Sequence, residues 1–513
     1  MTRHSTCFSY CLAGFLGAAS NLSFAPYNHT AVIFIALSVM FFILKNKNIK
    51  QRFLLSWTFG FFHFAFGTYW IINALMKDDT IPLLVMPLAL GGLSLLLGLY
   101  PALAFLGSSF FKNNAAKAFA FSGLWTLLEW VRSWLFTGFP WNPLGSIFAA
   151  KDETIQAASI FGVYGLSLIT AFTAAISVYL YDLDIKSKIE KSMRYPLIKY
   201  LAAVFTPFCL LFFILYGYGY VRLKCNPTTY FENTNIRIIQ PSIDQKLKWD
   251  RASIENNFLS HLELNLESGA EKNNAFIWGE TASPYDLNQD EYNRYRAIQT
   301  LPINSLLITG IIRDDGSNYY NSMTVISKEG KVIDYYDKTH RVPFGEYVPF
   351  RSFRPIGKIT EGYVDLGKGA GAKIITTDIL PPFTPIICYE VIFSGEIKPK
   401  GLQPSWFLNI TNDGWYGQSS GPYQHLAAAK MRAVEEGIPL VRVANTGISC
   451  IIDALGRVLK QIPLNTKDFA DSSLPQPVKQ TAFNLFGNKI PLFMAFFMLV
   501  IATVFLIKPK VKK

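Results

Sequence analysis

Apolar residues gather in long runs before about residue 220, then give way to short β-rich runs between polar stretches, and gather once more near the C-terminus. The long runs are Cys7–Phe24, Thr30–Leu44, Phe53–Met76, Ile81–Phe111, Ala118–Phe136, Ile160–Leu180, Tyr200–Tyr220 and Ile490–Ile507. A membrane-crossing helix needs about 20 mostly apolar residues, so the pattern predicts a membrane helical bundle of about eight spans. Seven would lie within residues 1–220, and the eighth, with a basic tail, within 489–513. The second run is short; the fourth exceeds what a span requires, so part of it is expected in a loop or a tilted helix. The first run also fits a signal peptide, with Arg3 before it and the small residues Gly17–Ser20 after it; the further runs that follow at once favour a retained span.

Residues 221–488 read as a separate α/β domain. Period-2 and short apolar runs predict strands over Ile236–Gln240, Ala275–Trp278, Ser305–Ile311, Met323–Ser327, Val332–Tyr336, Thr384–Cys388, Trp406–Ile410, Leu440–Val443 and Ile448–Ile452. Helical patterns fall between several of them, over Ile254–Leu266, Gln289–Gln299 and Pro422–Glu436. Alternating strands and helices argue a layered α/β fold.

Composition agrees with a chain that is membrane-embedded over much of its length. It is 50% hydrophobic, 15% aromatic and only 16% charged, where about a quarter charged is usual for soluble proteins, and its mean hydropathy is +0.23. A net charge of +12 would suit a nucleic-acid partner, but no helix-turn-helix, zinc-finger or aromatic–basic RNA signature accompanies it. The basic residues sit instead between apolar runs. Lys45, Lys47, Lys50 and Arg52 follow the second run, Lys112 and Lys117 the fourth, Lys186, Lys188, Lys191, Arg194 and Lys199 the sixth, and Lys508, Lys510, Lys512 and Lys513 the last. Intervening loops carry Lys77 beside Asp78 and Asp79, and Lys151 beside Asp152 and Glu153. By the positive-inside rule the first set is cytoplasmic; both termini are then inside and residues 221–488 outside. Six cysteines, at 7, 11, 209, 225, 388 and 450, form no CxxC pair, which argues against a metal site or a disulfide framework.

Within the membrane part, Glu129 and Arg132 lie three residues apart on one helix face. Charges at depth are costly unless paired or near water. A structural ion pair and a lipid-headgroup contact both fit. The aromatic loop Thr137–Pro143 is expected at the outer surface, either as an interfacial belt or as part of a lipid portal.

Several predicted strands end at reactive residues: Glu280, Lys338 and Cys388. A cysteine ending an apolar strand is most often core; here Tyr389 and Glu390 follow where the strand should stop, and three outer cysteines leave at least one thiol unpaired. A thiol, a carboxylate and a lysine make a workable acyl-transfer set. The carboxylate can deprotonate the thiol, and the lysine with a backbone N–H can stabilise an oxyanion. His340 and His425 are not needed as bases; each reads as structural.

These segments, in this order, resemble the carbon–nitrogen hydrolase (nitrilase) superfamily, and more closely its apolipoprotein N-acyltransferase branch of the bacterial inner membrane. The pieces that carry the resemblance include Gly138–Trp141, Gln240–Ile243, Leu247–Asp250, Val342–Pro349, Cys388–Glu390, Asn412–Gly417 and Gly421–His425. Gly279 departs from the family's usual proline and leaves Glu280 intact. The resemblance implies an αββα sandwich and a Glu280–Lys338–Cys388 triad working by two-step exchange. Cys388 would take an acyl chain from a phospholipid, phosphatidylethanolamine at sn-1, as a thioester. It would then pass the chain to the amine of a diacylglyceryl-apolipoprotein. Glu280 would be the base, Lys338 and the Tyr389 N–H would hold the oxyanion, and Glu346 would position Lys338. Trp249, Tyr389, Glu390, Asn321 and Trp415 match positions near the substrate, although Asn321 also fits a turn cap. No metal or diffusible cofactor is implied. Three rival readings use the same residues differently: a tethered amidase or nitrilase with water as acceptor, a transporter with an accessory domain, and a non-catalytic lipoprotein binder.

Overall fold

The computed structural model describes residues 3–77, 81–186, 196–349 and 364–507. Asp78, Asp79, Lys188, Lys191, Arg194, Lys508, Lys510, Lys512 and Lys513, used above to orient the chain, lie outside the described residues. The chain divides into two compact units. One holds residues 1–69, 84–225 and 481–513; the other holds Trp70–Leu83 and Asn226–Gln480.

Every long apolar run is helical. The first unit contains helices over Arg3–Ala19, Ala31–Leu44, Ile49–Gly67, Asn114–Arg132, Ala158–Lys186, Pro196–Cys225 and Lys489–Ile507, and a 24-residue apolar stretch over Val85–Ser108. Three of these, Val85–Ser108, Ala158–Leu180 and Tyr200–Cys225, are long and apolar enough to cross a membrane. The others are shorter or more polar, so three spans rather than eight stand on length and composition. Burial separates their roles. The Ala158–Leu180 stretch is 72% buried, a helix at the centre of a bundle, whereas Tyr200–Cys225 is only 11% buried and presents apolar residues all round, as a lipid-facing helix does. The Phe53–Met76 run is not one helix. Its helix stops at Gly67, and Trp70 onward folds with the second unit.

Glu129 and Arg132 are both buried, and both are tied to the chain around them. Glu129 Oε1 accepts from the Trp125 indole at 2.9 Å and the Leu144 N–H at 2.8 Å. Arg132 donates to the Phe139 and Trp141 carbonyls, each at 2.8 Å. Each residue therefore ties its helix to the chain around the aromatic loop.

The second unit is a two-sheet sandwich. The strands, in chain order, are β1 (Tyr230–Gln240), β2 (Ala275–Ile277), β3 (Leu306–Asp314), β4 (Tyr319–Ser327), β5 (Val332–Asp337), β6 (Phe383–Ile387), β7 (Trp406–Thr411), β8 (Leu440–Ala444), β9 (Ser449–Ile452), β10 (Val458–Ile462) and β11 (Asp468–Pro475). One sheet has the order β11-β1-β2-β3-β4-β5 and the other β10-β9-β8-β7-β6. The central strands β1, β2 and β3 run parallel, as do β6, β7 and β8. Parallel strands are covered on both faces and so read as unbroken apolar runs; every residue of β6, β7 and β8 is buried. Ile236, Ile238 and Ile308 from one sheet meet Leu408, Ile410 and Val441 from the other in the core between them. On the outer face of the first sheet Ile239, Trp278 and Leu307 meet Phe258 and Leu262 of the Ile254–Leu266 helix. The Gly421–Glu436 helix packs on β8 and the turn after β6. This is an αββα layering.

The predicted strands match β1–β9 within a few residues, but β10 and β11 have no counterpart in the sequence reading. Both are antiparallel edge strands of mostly half-exposed or exposed residues, and neither shows an apolar alternation. A buried cation holds the edge. Arg237, fully buried on β1, donates to both Asp471 carboxylate oxygens on β11 at 2.8 Å and to the Glu267 and Ser268 carbonyls at 2.8 and 2.7 Å. Removing it would leave those acceptors without their donor. Arg237→Ala is expected to destabilise the second unit by about 3 kcal/mol, read as a loss of melting temperature in detergent; an unchanged melting temperature would contradict this anchoring.

Candidate active site

The site gathers at the carboxyl ends of strands, where loops from both sheets converge. Glu280 follows β2 by two residues beyond Trp278. Its backbone N–H reaches the Thr411 carbonyl at the end of β7 at 3.4 Å, which crosses from one sheet to the other. The turn is tight: a Cβ at Gly310 on β3 would lie 2.3 Å from the Thr281 nitrogen and 2.7 Å from the Gly279 oxygen, so only glycine fits beneath it. Thr281 itself holds a positive φ of 45°, uncommon for a β-branched residue and costly unless its surroundings enforce it.

Lys338 follows β5 and is 2% exposed. Its Nζ donates to Glu280 Oε1 and to Glu346 Oε1, both at 3.0 Å. The Asn321 amide donates to the same two oxygens, both at 2.7 Å, so Asn321 bridges the carboxylates rather than capping a turn. Glu346 Oε2 closes its own loop by accepting from Val342 N–H at 2.7 Å.

Cys388 follows β6 at φ 51°, in the left-handed region, which turns its side chain out of the strand line. The thiol is hydrogen-bonded by Thr411 and lies within the electrostatic reach of both Glu280 and Lys338. Sulfur, carboxylate and ammonium therefore share one buried neighbourhood although 58 residues separate Lys338 from Glu280. Burial pushes the thiol up to about 12, the Glu280 charge adds to this, and Lys338 opposes it. At rest the Cys388 side chain is a neutral thiol. Burial also raises the Glu280 carboxyl, but Lys338, Asn321 and Lys248 outweigh it and hold Glu280 below its usual range, ionised. Lys338 is raised well above its ordinary value: burial works against its charge, and Glu280 and Glu346 more than offset that.

The remaining expected residues fall in different places. Glu390 is a buried clip. Its carboxylate accepts from Tyr336 Oη at 2.8 Å, Thr339 N at 2.6 Å and His340 N at 3.1 Å, and from Ile387 N at 2.7 Å, tying the end of β5 to the end of β6. Tyr389 is buried with its ring against Phe393. Trp249 is half-buried and lines a small cleft with Pro241, Lys248, His261 and Thr281. Trp415 is half-buried in the turn after β7; its neighbour Tyr416 is buried, and that burial raises its hydroxyl well above the ordinary value.

Two groups were missed in the sequence. Lys248 is buried, and its Nζ donates to the Glu280 carbonyl at 2.9 Å and to Thr281 Oγ1 at 2.6 Å. It clamps the strained Glu280–Thr281 turn, and burial lowers it to about 8. Asp413, His425 and Arg442 form a buried polar cluster behind Cys388, with Asp413 Oδ2 2.7 Å from Arg442. Lys248, Asp413 and His425 lie within quoted motifs, yet nothing in spacing alone separates a buried lysine or aspartate from a solvated one.

An αββα sandwich with a thiol, a carboxylate and a lysine at strand ends is the arrangement of the carbon–nitrogen hydrolase class. Residues 280–482 match the carbon-nitrogen hydrolase family model, and residues 16–176 match the apolipoprotein N-acyltransferase N-terminal domain. The chain is 35% identical over 484 residues to the apolipoprotein N-acyltransferase of Rickettsia prowazekii (strain Madrid E), covering 92% of this chain and 93% of that one. It is 32% identical to that of Rhodopseudomonas palustris, covering 92% and 90%, and 34% identical to that of Rhizobium rhizogenes, covering 90% and 89%. The chain belongs to the apolipoprotein N-acyltransferase family.

Two outcomes follow from the electrostatics. A thiol pushed up to about 12 should alkylate with iodoacetamide at a rate that keeps rising above pH 9, past the range of a free cysteine; a plateau below pH 9 would show a preformed thiolate. Asp413 is lowered to about 2: burial opposes its charge, but Arg442 and His425 more than offset that. A depressed acid contributes stability fully present above its unfolded value near 3.8 and lost as pH falls through about 2. That contribution is about 2 kcal/mol. Asp413→Asn should lower the melting temperature at pH 6 and flatten its fall between pH 4 and 2, which parallel thermal melts will read.

Proposed function

We propose that this protein transfers an acyl chain from a phospholipid to the amine of a diacylglyceryl-apolipoprotein, through a thioester on Cys388. The observation that carries the reading is the buried Glu280–Lys338–Glu346–Asn321 cluster set within charge reach of the thiol. Family membership over nine-tenths of the chain supports the acceptor class.

In the first step the Cys388 thiol gives its proton to Glu280 as sulfur attacks the donor's ester carbonyl, at sn-1 of phosphatidylethanolamine. Proton transfer from so weak an acid to an ionised, stabilised carboxylate is uphill, so it proceeds together with S–C bond formation rather than before it. The tetrahedral oxyanion is met by the Lys338 ammonium and the Tyr389 N–H. The ester C–O bond breaks, and the lysophospholipid oxygen leaves with the proton from Glu280. In the second step the free amine attacks the thioester, Glu280 takes its proton, the C–S bond breaks, and sulfur recovers the proton. The products are an amide and the starting enzyme. Splitting one slow exchange into two steps is the gain of covalent catalysis. Glu346 and Asn321 keep Lys338 and Glu280 in register, and Lys248 holds the turn under the base.

Both substrates are anchored by acyl chains, which suits a multi-pass protein of the bacterial inner membrane with a periplasmic catalytic domain and cytoplasmic termini. The lysines and arginines after the second, fourth and sixth runs support that orientation. So does Trp70–Leu83, the end of the third run and the start of the fourth, which belongs to the same compact unit as Asn226–Gln480: Asn73 Nδ2 donates to the Tyr416 carbonyl at 2.8 Å, and Trp70 Nε1 to Gln424 at 3.2 Å.

Purified protein incubated with phosphatidylethanolamine should gain one acyl mass on Cys388 in intact-mass spectra, and Cys388→Ser should gain none. The adduct should persist in water and discharge on adding a diacylglyceryl-cysteine peptide. Discharge by water alone would favour a hydrolase, and no adduct at all would remove the acyl-transfer reading.

A further inference from the structure

Three buried groups behind Cys388 take no part in the proton transfers above. His425 is fully buried on the Gly421–Glu436 helix. Its Nε2 lies 3.1 Å from the Cys388 carbonyl oxygen. Its Nδ1 lies 2.9 Å from Asp413 Oδ1 and 3.0 Å from an Arg442 nitrogen. A carbonyl oxygen only accepts, so the contact at Cys388 is a hydrogen bond when Nε2 carries a proton. When the ring is neutral, Arg442 donates to the Nδ1 lone pair; when it is charged, Nδ1–H donates to Asp413. Burial, reinforced by Arg442, lowers His425 below its ordinary value, against Asp413 and the Cys388 carbonyl, which raise it. Asp413 and Arg442 are themselves paired at 2.7 Å and fully buried, so they hold the imidazole plane in place.

The direction of that bond matters because of peptide geometry. The Cys388 carbonyl and the Tyr389 N–H belong to one planar trans peptide and point in opposite directions. A donor that fixes the carbonyl on the His425 side fixes the N–H on the other. Cys388 at φ 51° occupies a backbone well that its surroundings must enforce, so the peptide needs such an anchor. A hydrogen bond at the carbonyl also polarises the amide and strengthens its N–H as a donor.

We propose that His425, oriented by Asp413 and Arg442, is a positioning residue of the oxyanion site: it aims and polarises the Cys388–Tyr389 peptide so that the Tyr389 N–H meets the tetrahedral intermediate. This rests on the acyl-transfer reading, in which that N–H is an oxyanion donor. His425 acts through the peptide and touches no reacting atom. It exchanges no proton with Cys388 or Glu280.

The test compares two reactions of the same thiol in the full-length protein. Iodoacetamide alkylation depends on the thiol and its base but forms no oxyanion. A long-chain aldehyde adds to the thiol as a hemithioacetal whose oxygen occupies the oxyanion position. In His425→Met, alkylation is expected within about twofold of wild type. Aldehyde affinity and the rate of acyl-enzyme formation from phosphatidylethanolamine should fall by about 100-fold, the usual loss for one oxyanion donor. His425→Gln, whose amide can place an N–H near the former Nε2, should recover about tenfold of the loss. Effects are read as the ratio of aldehyde affinity to alkylation rate on one sample, so a partly misfolded preparation cancels, and His425→Leu serves as a second variant without the donor. An unchanged ratio in both donor-less variants, or a parallel loss of both reactions, overturns the proposal. A wild-type protein that binds no aldehyde and forms no acyl-enzyme overturns the acyl-transfer reading instead.

Discussion

Glu280, Lys338 and Glu346 are two acidic side chains and one basic one that have left water together, and the contacts among them are what the arrangement of the second unit depends on. Taking any one of them into a low-dielectric interior alone costs several kcal/mol. Together, with the Asn321 amide filling the remaining acceptor positions, the charges compensate one another at about 3.0 Å. The compensation works only while β2, β4, β5 and the Val342–Glu346 turn keep their register, since each residue of the cluster comes from a different one of these. The core between the sheets supplies that rigidity. The chemistry thus rides on packing far from the thiol.

The cluster also sets how the thiol reacts. Glu280 is stabilised as an anion and Cys388 as a neutral thiol, so the proton has little reason to move until sulfur begins to bond to carbon. Such a site is quiet at rest, which suits the acyl-transfer mechanism proposed above. Backbone strain is concentrated at the same place. Thr281 beside the base and Cys388 itself both hold positive φ angles, and each is braced by a buried side chain: Lys248 on the Glu280–Thr281 turn and His425 on the Cys388 carbonyl.

Much of the architecture was legible in the chain. Parallel strands covered on both faces announce themselves as apolar runs, so β6, β7 and β8 were found nearly to the residue. Edge strands do not. β10 and β11 carry polar residues on half-exposed faces, and their strand character comes from pairing with β9 and β1. The fourth apolar run was readable as membrane-length for the same reason that β7 was readable as a strand. The third was over-read: an apolar sequence continues past Gly67, but Trp70 and Leu75 bury themselves in the other unit, and hydropathy does not distinguish a lipid-facing residue from one buried in protein.

Pattern and composition by themselves determined the helical runs, the α/β character of the middle of the chain, and the three strand-end residues around which the chemistry was argued. They could do so because periodicity and hydropathy are local properties, written in adjacent residues. Only the tertiary structure decided that Asn321 bridges two carboxylates, that Glu390 is a clip between strands, and that Lys248 and His425 touch the turn at Glu280 and the carbonyl of Cys388. Those roles depend on which side chains, tens or hundreds of residues apart, are desolvated together, and desolvation is a property of the folded neighbourhood.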